Sequence, residues 1–339
     1  VEREDGVHFG TKEVAVSWED YPKNYTCHIR DPKVWKHGDS YTMVLGSRRK
    51  DDVGEILVYR SSDLKDWKLA NRVTSETPFG YMWECPDCFT LDGVRFLSFS
   101  PQGVDAQDWK YNNIYQSGYC RLEGDLYGDY ELKPFREFDH GFDFYAPQTY
   151  LDQQGRRILI GWMGMPDEPT YGNAPTVACV WQHCMTVPRE LMAGDDGVVL
   201  QQPAREIERH YASARVGEGS LEVAGDTCFD VVVDGVDGTF AATVDGELKL
   251  SFVATEAELP SRFEMRFTDE GRASAGCGRT VRWEPVDEVR NVRIVGDVSS
   301  VEVFVNDGAL VFSTRIYPET YGVSVDAPGA SVTYHTLNV

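Results

Sequence analysis

One strand-shaped phrase occurs three times in this chain and sets what the chain can fold into. Arg30-Asp31-Pro32-Lys33-Val34-Trp35, Glu84-Cys85-Pro86-Asp87-Cys88-Phe89 and Tyr145-Ala146-Pro147-Gln148-Thr149-Tyr150 are each followed by a glycine turn (Gly38, Gly93, Gly155). A β-rich run follows each turn: Tyr41-Thr42-Met43-Val44-Leu45, Val94-Arg95-Phe96-Leu97-Ser98-Phe99 and Arg157-Ile158-Leu159-Ile160-Gly161-Trp162. The prolines recur after 54 and 61 residues, near the roughly 40 to 50 residues of a four-stranded propeller blade once loop insertions are allowed. Blades bring equivalent strand ends to one axis. Acidic groups within the phrase, Asp31 and Glu84, are therefore predicted to meet although distant in sequence.

The 339 residues carry a formal net charge of −22 and a sequence pI near 4.7. That balance repels phosphate backbones and anionic lipid, so nucleic acid and membrane surfaces are not expected partners and a neutral or polar small molecule is. No apolar run reaches the roughly 18 to 20 residues of a membrane span, and no signal-peptide pattern opens the chain. An intracellular setting is the expectation, with secretion left open. Eight cysteines are scattered through the chain, which is neither a disulfide framework nor a zinc pattern. Cys85 and Cys88 form a C-x-x-C, but nothing completes four ligands, so the pair reads as small apolar residues and no metal or cofactor is expected.

Nearly every segment reads as β: short runs of Val, Ile, Tyr, Phe and Trp bounded by Gly, Asp, Asn and Pro, with no capped helical periodicity over three turns. The fold class is all-β. The repeat region spans residues 1–195, a linker with a short helical turn covers 196–210, and 211–339 follows a different rhythm. There Val301-Glu302-Val303-Phe304-Val305 alternates, its valines on one face, and Asn306-Asp307-Gly308 turns into Leu310-Val311-Phe312, which suggests a two-sheet sandwich. Three blades do not readily close a ring, and Val1 to Trp18 resembles the tail of an earlier blade. The expectation is that one or more N-terminal blades are absent from this chain.

Asp31 and Glu84 are the candidate chemical pair. A carboxylic acid beside aromatic surface, here Trp83, is desolvated, and a neighbouring carboxylate also favours its neutral form; a glutamate so placed serves as a general acid near neutral pH. A plain structural role, Asp31 in a salt bridge and Glu84 on strand-end backbone, fits the spacing equally well. Aligning the prolines puts Asp31 opposite Cys85 and leaves Glu84 one column away, an offset that local twist must make up. Aromatic side chains are 12% of the chain. Beside carboxylates they suit a carbohydrate pocket, with Tyr145 and Trp162 placed for it by the repeat. His28 reads as a hydrogen-bonding neighbour of Arg30-Asp31. The Arg48-Arg49-Lys50-Asp51-Asp52 run reads as a solvated hairpin loop, or, at a pocket mouth, as a contact for phosphate or sugar hydroxyls.

His28 to Trp35, Trp83-Glu84-Cys85-Pro86-Asp87, Gly141 to Gln148 and Ile160-Gly161-Trp162-Met163 together resemble glycoside hydrolase family 32, the invertase, fructanase and sucrose-6-phosphate hydrolase group. Pro188-Arg189-Glu190-Leu191 and Ser299 to Gly308 resemble the same family's end-of-propeller and sandwich signatures. The resemblance implies a five-bladed β-propeller followed by a β-sandwich, and retaining hydrolysis of terminal β-D-fructofuranosides. It assigns Glu84 as acid/base, Asp31 as transition-state stabiliser, and Arg30, Tyr145 and Trp162 to the fructosyl pocket.

The sequence departs from the family at one place. The family's nucleophile lies in an N-terminal Asn-Asp-Pro-Asn phrase, and the only Asn-Asp in this chain is Asn306-Asp307. Residues 1–339 alone are therefore expected to be inactive. A non-catalytic sugar-binding propeller and a fructosyltransferase on the same fold are the alternatives. The substrates open to the complete protein are sucrose, its 6-phosphate and fructans, with the intracellular phosphate-using branch favoured by overall likeness and by the Arg48-Arg49-Lys50 loop; the oligomeric state is left open.

Overall fold

The computed structural model describes residues 7, 8, 10–167, 174–256, 258–271 and 279–338. Three antiparallel sheets follow the three phrases. The first comprises β1 (Tyr25–His37), β2 (Ser40–Arg49), β3 (Gly54–Ser61) and β4 (Lys68–Val73), paired in chain order. The second has β5 (Met82–Leu91), β6 (Val94–Gln102), β7 (Gly118–Gly124) and β8 (Tyr130–Leu132), with β9 (Arg136–Glu137) also on β7. The third has β10 (Tyr145–Leu151), β11 (Arg157–Met163), β12 (Cys184–Met185), β13 (Arg189–Ala193) and β14 (Val199–Pro203). Each phrase is the first strand of its sheet, and the sheets pack face to face as blades. Val44, Ile56, Val58, Trp83, Leu97 and Phe99 fill the space between the first two; Phe89, Phe96, Phe138, Phe144, Leu159 and Leu191 fill the space between the second and third.

The stretch 196–210, expected to be a linker, contains β14, the outer strand of the third blade. A 3-10 helix, Arg205–His210, then leads out of it. The strand was hidden because its inward positions are Val199, Gln201 and Pro203, and the central one is polar: buried Gln201 is satisfied by Arg189 and by the Phe138 carbonyl. Of the segment Val1 to Trp18, expected to be the tail of a blade, residues 1–6 and 9 lie outside the described residues. The rest of it holds no strand, and Val16 rests on the outer face of the first blade.

The sandwich is built from β15 (Tyr211–Ala224), β16 (Phe229–Asp234), β17 (Ala241–Val244), β18 (Leu248–Val253), β19 (Arg262–Phe267), β20 (Val281–Pro285), β21 (Asn291–Asp297), β22 (Ser300–Val305), β23 (Leu310–Arg315) and β24 (Gly322–Leu337). Its two layers are one continuous ladder. The first half of β24 pairs with β17 and the second half with β16, and the register with β15 breaks between Glu218 and Ser220, where this long strand pair passes from layer to layer. Val301, Val303 and Val305 point into the core between the layers, as their alternation predicts. The opposite face of β22 is buried too: Phe304 packs with Val187 and Ile207 of the propeller side, and Glu302 meets Arg189.

The chain is thus all-β, with propeller blades followed by a β-sandwich. Among the described residues no helix is long and apolar enough to cross a membrane.

Candidate active site

The residue before each phrase proline has a left-handed backbone: Asp31 at φ 60°, Cys85 at φ 48° and Ala146 at φ 49°. None is glycine, and the residue before a proline ordinarily prefers extended backbone, so the conformation carries a cost of order 1–2 kcal/mol at each place. A β-bulge accompanies all three. Between Arg30 and Lys33, Glu84 and Asp87, and Tyr145 and Gln148, the phrase strand advances one residue more than its partner. Bulges recur next to active sites because they re-aim side chains. The bulge recurs at the same place in all three phrases, so the one-column offset remains: Asp31 faces Cys85, as the proline alignment has it, and Glu84 faces Arg30.

Equivalent positions of the three repeats meet one another. Two residues before the prolines stand Arg30, Glu84 and Tyr145, and they form one cluster. Arg30 donates through Nε and Nη2, each at 2.7 Å, to Oε1 of Glu84, while the Tyr145 hydroxyl donates to Oε2. One residue on, the Cys85 amide donates to Oδ2 of Asp31 at 3.0 Å, and its thiol lies 3.7 Å from the same oxygen. One residue after the prolines, Lys33 Nζ is 3.1 Å from Asp87 and 3.3 Å from Gln148 Oε1, and it also donates to the Thr149 carbonyl. Asp87 is buried and accepts from the Thr149 amide and hydroxyl; Gln148 donates to the Cys85 carbonyl. This lower layer joins all three blades beneath the acids.

Glu84 thus accepts at both oxygens. A further donor, Gln102 at the end of β6, reaches Oε2 at 2.8 Å. The carboxylate is 13% exposed and Arg30 35%, so a ligand reaches the arginine more readily than the acid. Gly46 of β2 makes the closeness possible: a Cβ there would collide with the Trp83 carbonyl and press on Glu84 Cα. Burial, and then the charge of Glu84, push the Tyr145 phenol far above its ordinary range, so it donates throughout the physiological range. Burial, Asp31 and Glu84 likewise push the Cys85 thiol up, and burial raises Cys88 to about 12. Neither cysteine is a ready thiolate. Among the described residues no group of three His, Cys, Asp or Glu side chains is placed to hold a metal ion.

The aromatic expected to desolvate Glu84 is not the one that lines it. Trp83 is fully buried, stacked on Phe99 at 3.9 Å, because consecutive strand residues face opposite sides. Tyr145, from the third blade, takes that place. Trp162 pairs across the ladder with Tyr145, their rings edge to face at 6.4 Å, and His183 meets Trp162 at 4.9 Å. His28 Nδ1 lies 2.9 Å from Arg30 Nη1 and must accept there, which puts the ring proton on Nε2. The basic loop is already engaged: Arg48 binds Asp52 at 2.6 Å and covers Tyr81, Arg49 binds Asp51 and Glu55, and Lys50 donates to the Lys23 carbonyl. The structure therefore brings Arg30, Asp31, Glu84, Tyr145 and Trp162 to one place. Sequence reading passed over Gln102, which lies outside the phrase, and the layer Lys33–Asp87–Gln148. Position within the repeat could have found that layer, because all three residues directly follow its prolines.

The model of the Glycosyl hydrolases family 32 N-terminal domain matches residues 1–203, and that of the Glycosyl hydrolases family 32 C terminal matches residues 260–339. The chain is 35% identical to the sucrose-6-phosphate hydrolase of Bacillus subtilis, covering 97% of this chain and 69% of that protein. It is also 35% identical to the sucrose-6-phosphate hydrolase of Staphylococcus xylosus, covering 88% of this chain and 62% of that protein. In structure it is similar to the Bombyx mori β-fructofuranosidase BmSUC1, with a TM-score of 0.76 at 28% identity over 94% of this chain and 67% of that one. The sucrose-6-phosphate hydrolase of Lactobacillus gasseri shares the fold with a TM-score of 0.85 at 22% identity, over 96% of this chain and 69% of that one. The chain belongs to glycoside hydrolase family 32.

Proposed function

We propose that this chain contributes the acid/base half of a site that hydrolyses terminal β-D-fructofuranosides, sucrose or sucrose-6-phosphate or a fructan, with retention of configuration. The observation that carries the reading is the convergence of Arg30, Glu84 and Tyr145 from three blades, with Asp31 fixed on the amide next to Glu84. Glu84 protonates the leaving oxygen and then, as a carboxylate, takes a proton from the incoming water. Asp31 holds fructosyl hydroxyls as positive charge develops on the ring. Arg30 adds donors at the more open side, and Tyr145 and Trp162 line the pocket with apolar faces.

The relatives named for sucrose-6-phosphate favour a phosphorylated substrate, and a raffinose invertase of Escherichia coli is 35% identical as well. The Arg48–Lys50 loop lends the phosphorylated substrate no support, since its cations are spent on Asp51, Asp52, Glu55 and a backbone carbonyl.

Covalent retention needs a nucleophile, and this sequence contains no Asn-Asp-Pro phrase. The test has two arms. The product of the complete coding sequence should release fructose from sucrose or its 6-phosphate and lose that activity on Glu84→Gln. Residues 1–339 alone should show none, and turnover by them that Glu84→Gln abolishes would refute the assignment of roles.

A further inference from the structure

We propose that Gln102 is a positioning residue for Glu84, fixing which way its Oε2 points and how tightly that oxygen holds a proton; the inference rests on the hydrolase reading above. Gln102 is delivered from a strand end and not from a loop. Its carbonyl accepts from the Tyr81 amide at 2.8 Å, it pairs with Met82 across the ladder, and it bridges to Tyr115. With the backbone held by neighbours on both sides, its Nε2 stands 2.8 Å from Glu84 Oε2. Arg30 grips the other oxygen from a position open to ligand. When a sugar draws that guanidinium away, Gln102 and Tyr145 are what keep the carboxyl in place. An amide cannot titrate, so Gln102 is a donor to that oxygen at every pH.

Removing a donor to a charged oxygen should raise the affinity of Glu84 for its proton by about one pH unit. Gln102→Met removes the donor with little change of shape, and Gln102→Glu replaces it with a like charge, so both should move Glu84 the same way. The measurement is the carbon-13 NMR titration of the Glu84 carboxyl in the chain 1–339, the resonance being identified by its loss in Glu84→Gln. An upward shift of about one unit in either folded variant supports the proposal. A midpoint unchanged within about 0.3 unit overturns it. In the complete coding product, the alkaline limb of kcat/KM should move up by the same amount in Gln102→Met, whereas a merely structural role would lower the rate equally at all pH. If the unaltered product hydrolyses no fructoside, the hydrolase reading fails while the NMR titration still decides the role of Gln102.

Discussion

Arg189 of the third blade lies 2.7 Å from Glu302 of the sandwich, and the two side chains are 0% and 4% exposed. The same guanidinium binds Asp139 at 3.0 Å, Gln201 at 3.0 Å and the Ser313 hydroxyl at 2.7 Å. Asp139 in turn accepts from the Ser313 amide, and Glu302 from the Val187 amide. The two late sequence signatures, around Pro188 and around Ser299, are thus halves of one buried lock between propeller and sandwich. Removing one partner of such a network leaves uncompensated buried charge and typically costs about 3–5 kcal/mol. Arg189→Met should destabilise the chain by that amount in urea unfolding. A loss below about 1 kcal/mol would show that the network is not what ties the two parts together.

A second seam between the parts buries two acids and should respond to pH. Glu137 of β9 and Glu284 of β20 line a cavity of about 260 Å³ with Lys110, Arg136 and His140. Burial raises Glu137 to about 7, and burial with the neighbouring Glu137 raises Glu284 to about 8; burial lowers His140 to about 4. At neutral pH the 3.3 Å approach of His140 to Glu284 therefore joins an uncharged ring and a largely protonated carboxyl. A carboxyl raised on folding stabilises the fold fully below its unfolded value near 4.5, and that contribution is lost as pH rises through the folded value. Glu284→Gln should accordingly gain on the unaltered chain between about pH 5 and 9, with the gap in melting temperature widening with pH. A gap that is constant or that narrows would contradict the assignment.

The left-handed residue before the third proline offers a backbone test. Ala146 holds φ 49° and its amide accepts no compromise in place, since it donates to the Ser117 hydroxyl at 3.1 Å. Ala146→Gly should leave stability unchanged or raise it by up to about 1 kcal/mol, because relief of strain offsets the greater freedom of glycine in the unfolded chain. Ala146→Val should lose more than about 2 kcal/mol, a branched side chain being a genuine outlier there. Equal losses in the two variants, measured by thermal unfolding, would contradict a strained bulge.

The blades were legible because each announces itself with a proline phrase and a glycine turn, and the convergence of Asp31 with Glu84 follows from that repetition. The bulge was not legible. Its extra residue, in left-handed backbone before each proline, leaves no mark in the residue types, and Trp83, next to Glu84 in sequence, faces the other side of the strand by ordinary alternation. Strand β14 was missed because a buried glutamine interrupts its alternation, and Gln102 because its place depends on ladder register sixteen residues beyond Pro86. Glu302 stood out only as the polar member of a strand face; its partner Arg189 could not be paired with it without the sandwich docked on the blade.

The account turns on Glu84 as the proton carrier. In the product of the complete coding sequence, Glu84→Gln should cut hydrolysis of sucrose by about 10²–10⁴-fold, the range of a lost general acid. It should spare cleavage of p-nitrophenyl β-D-fructofuranoside far more, because that leaving group departs without a proton, and added azide should restore turnover with formation of a fructosyl azide. Equal loss on both substrates with no azide product would contradict the role given to Glu84.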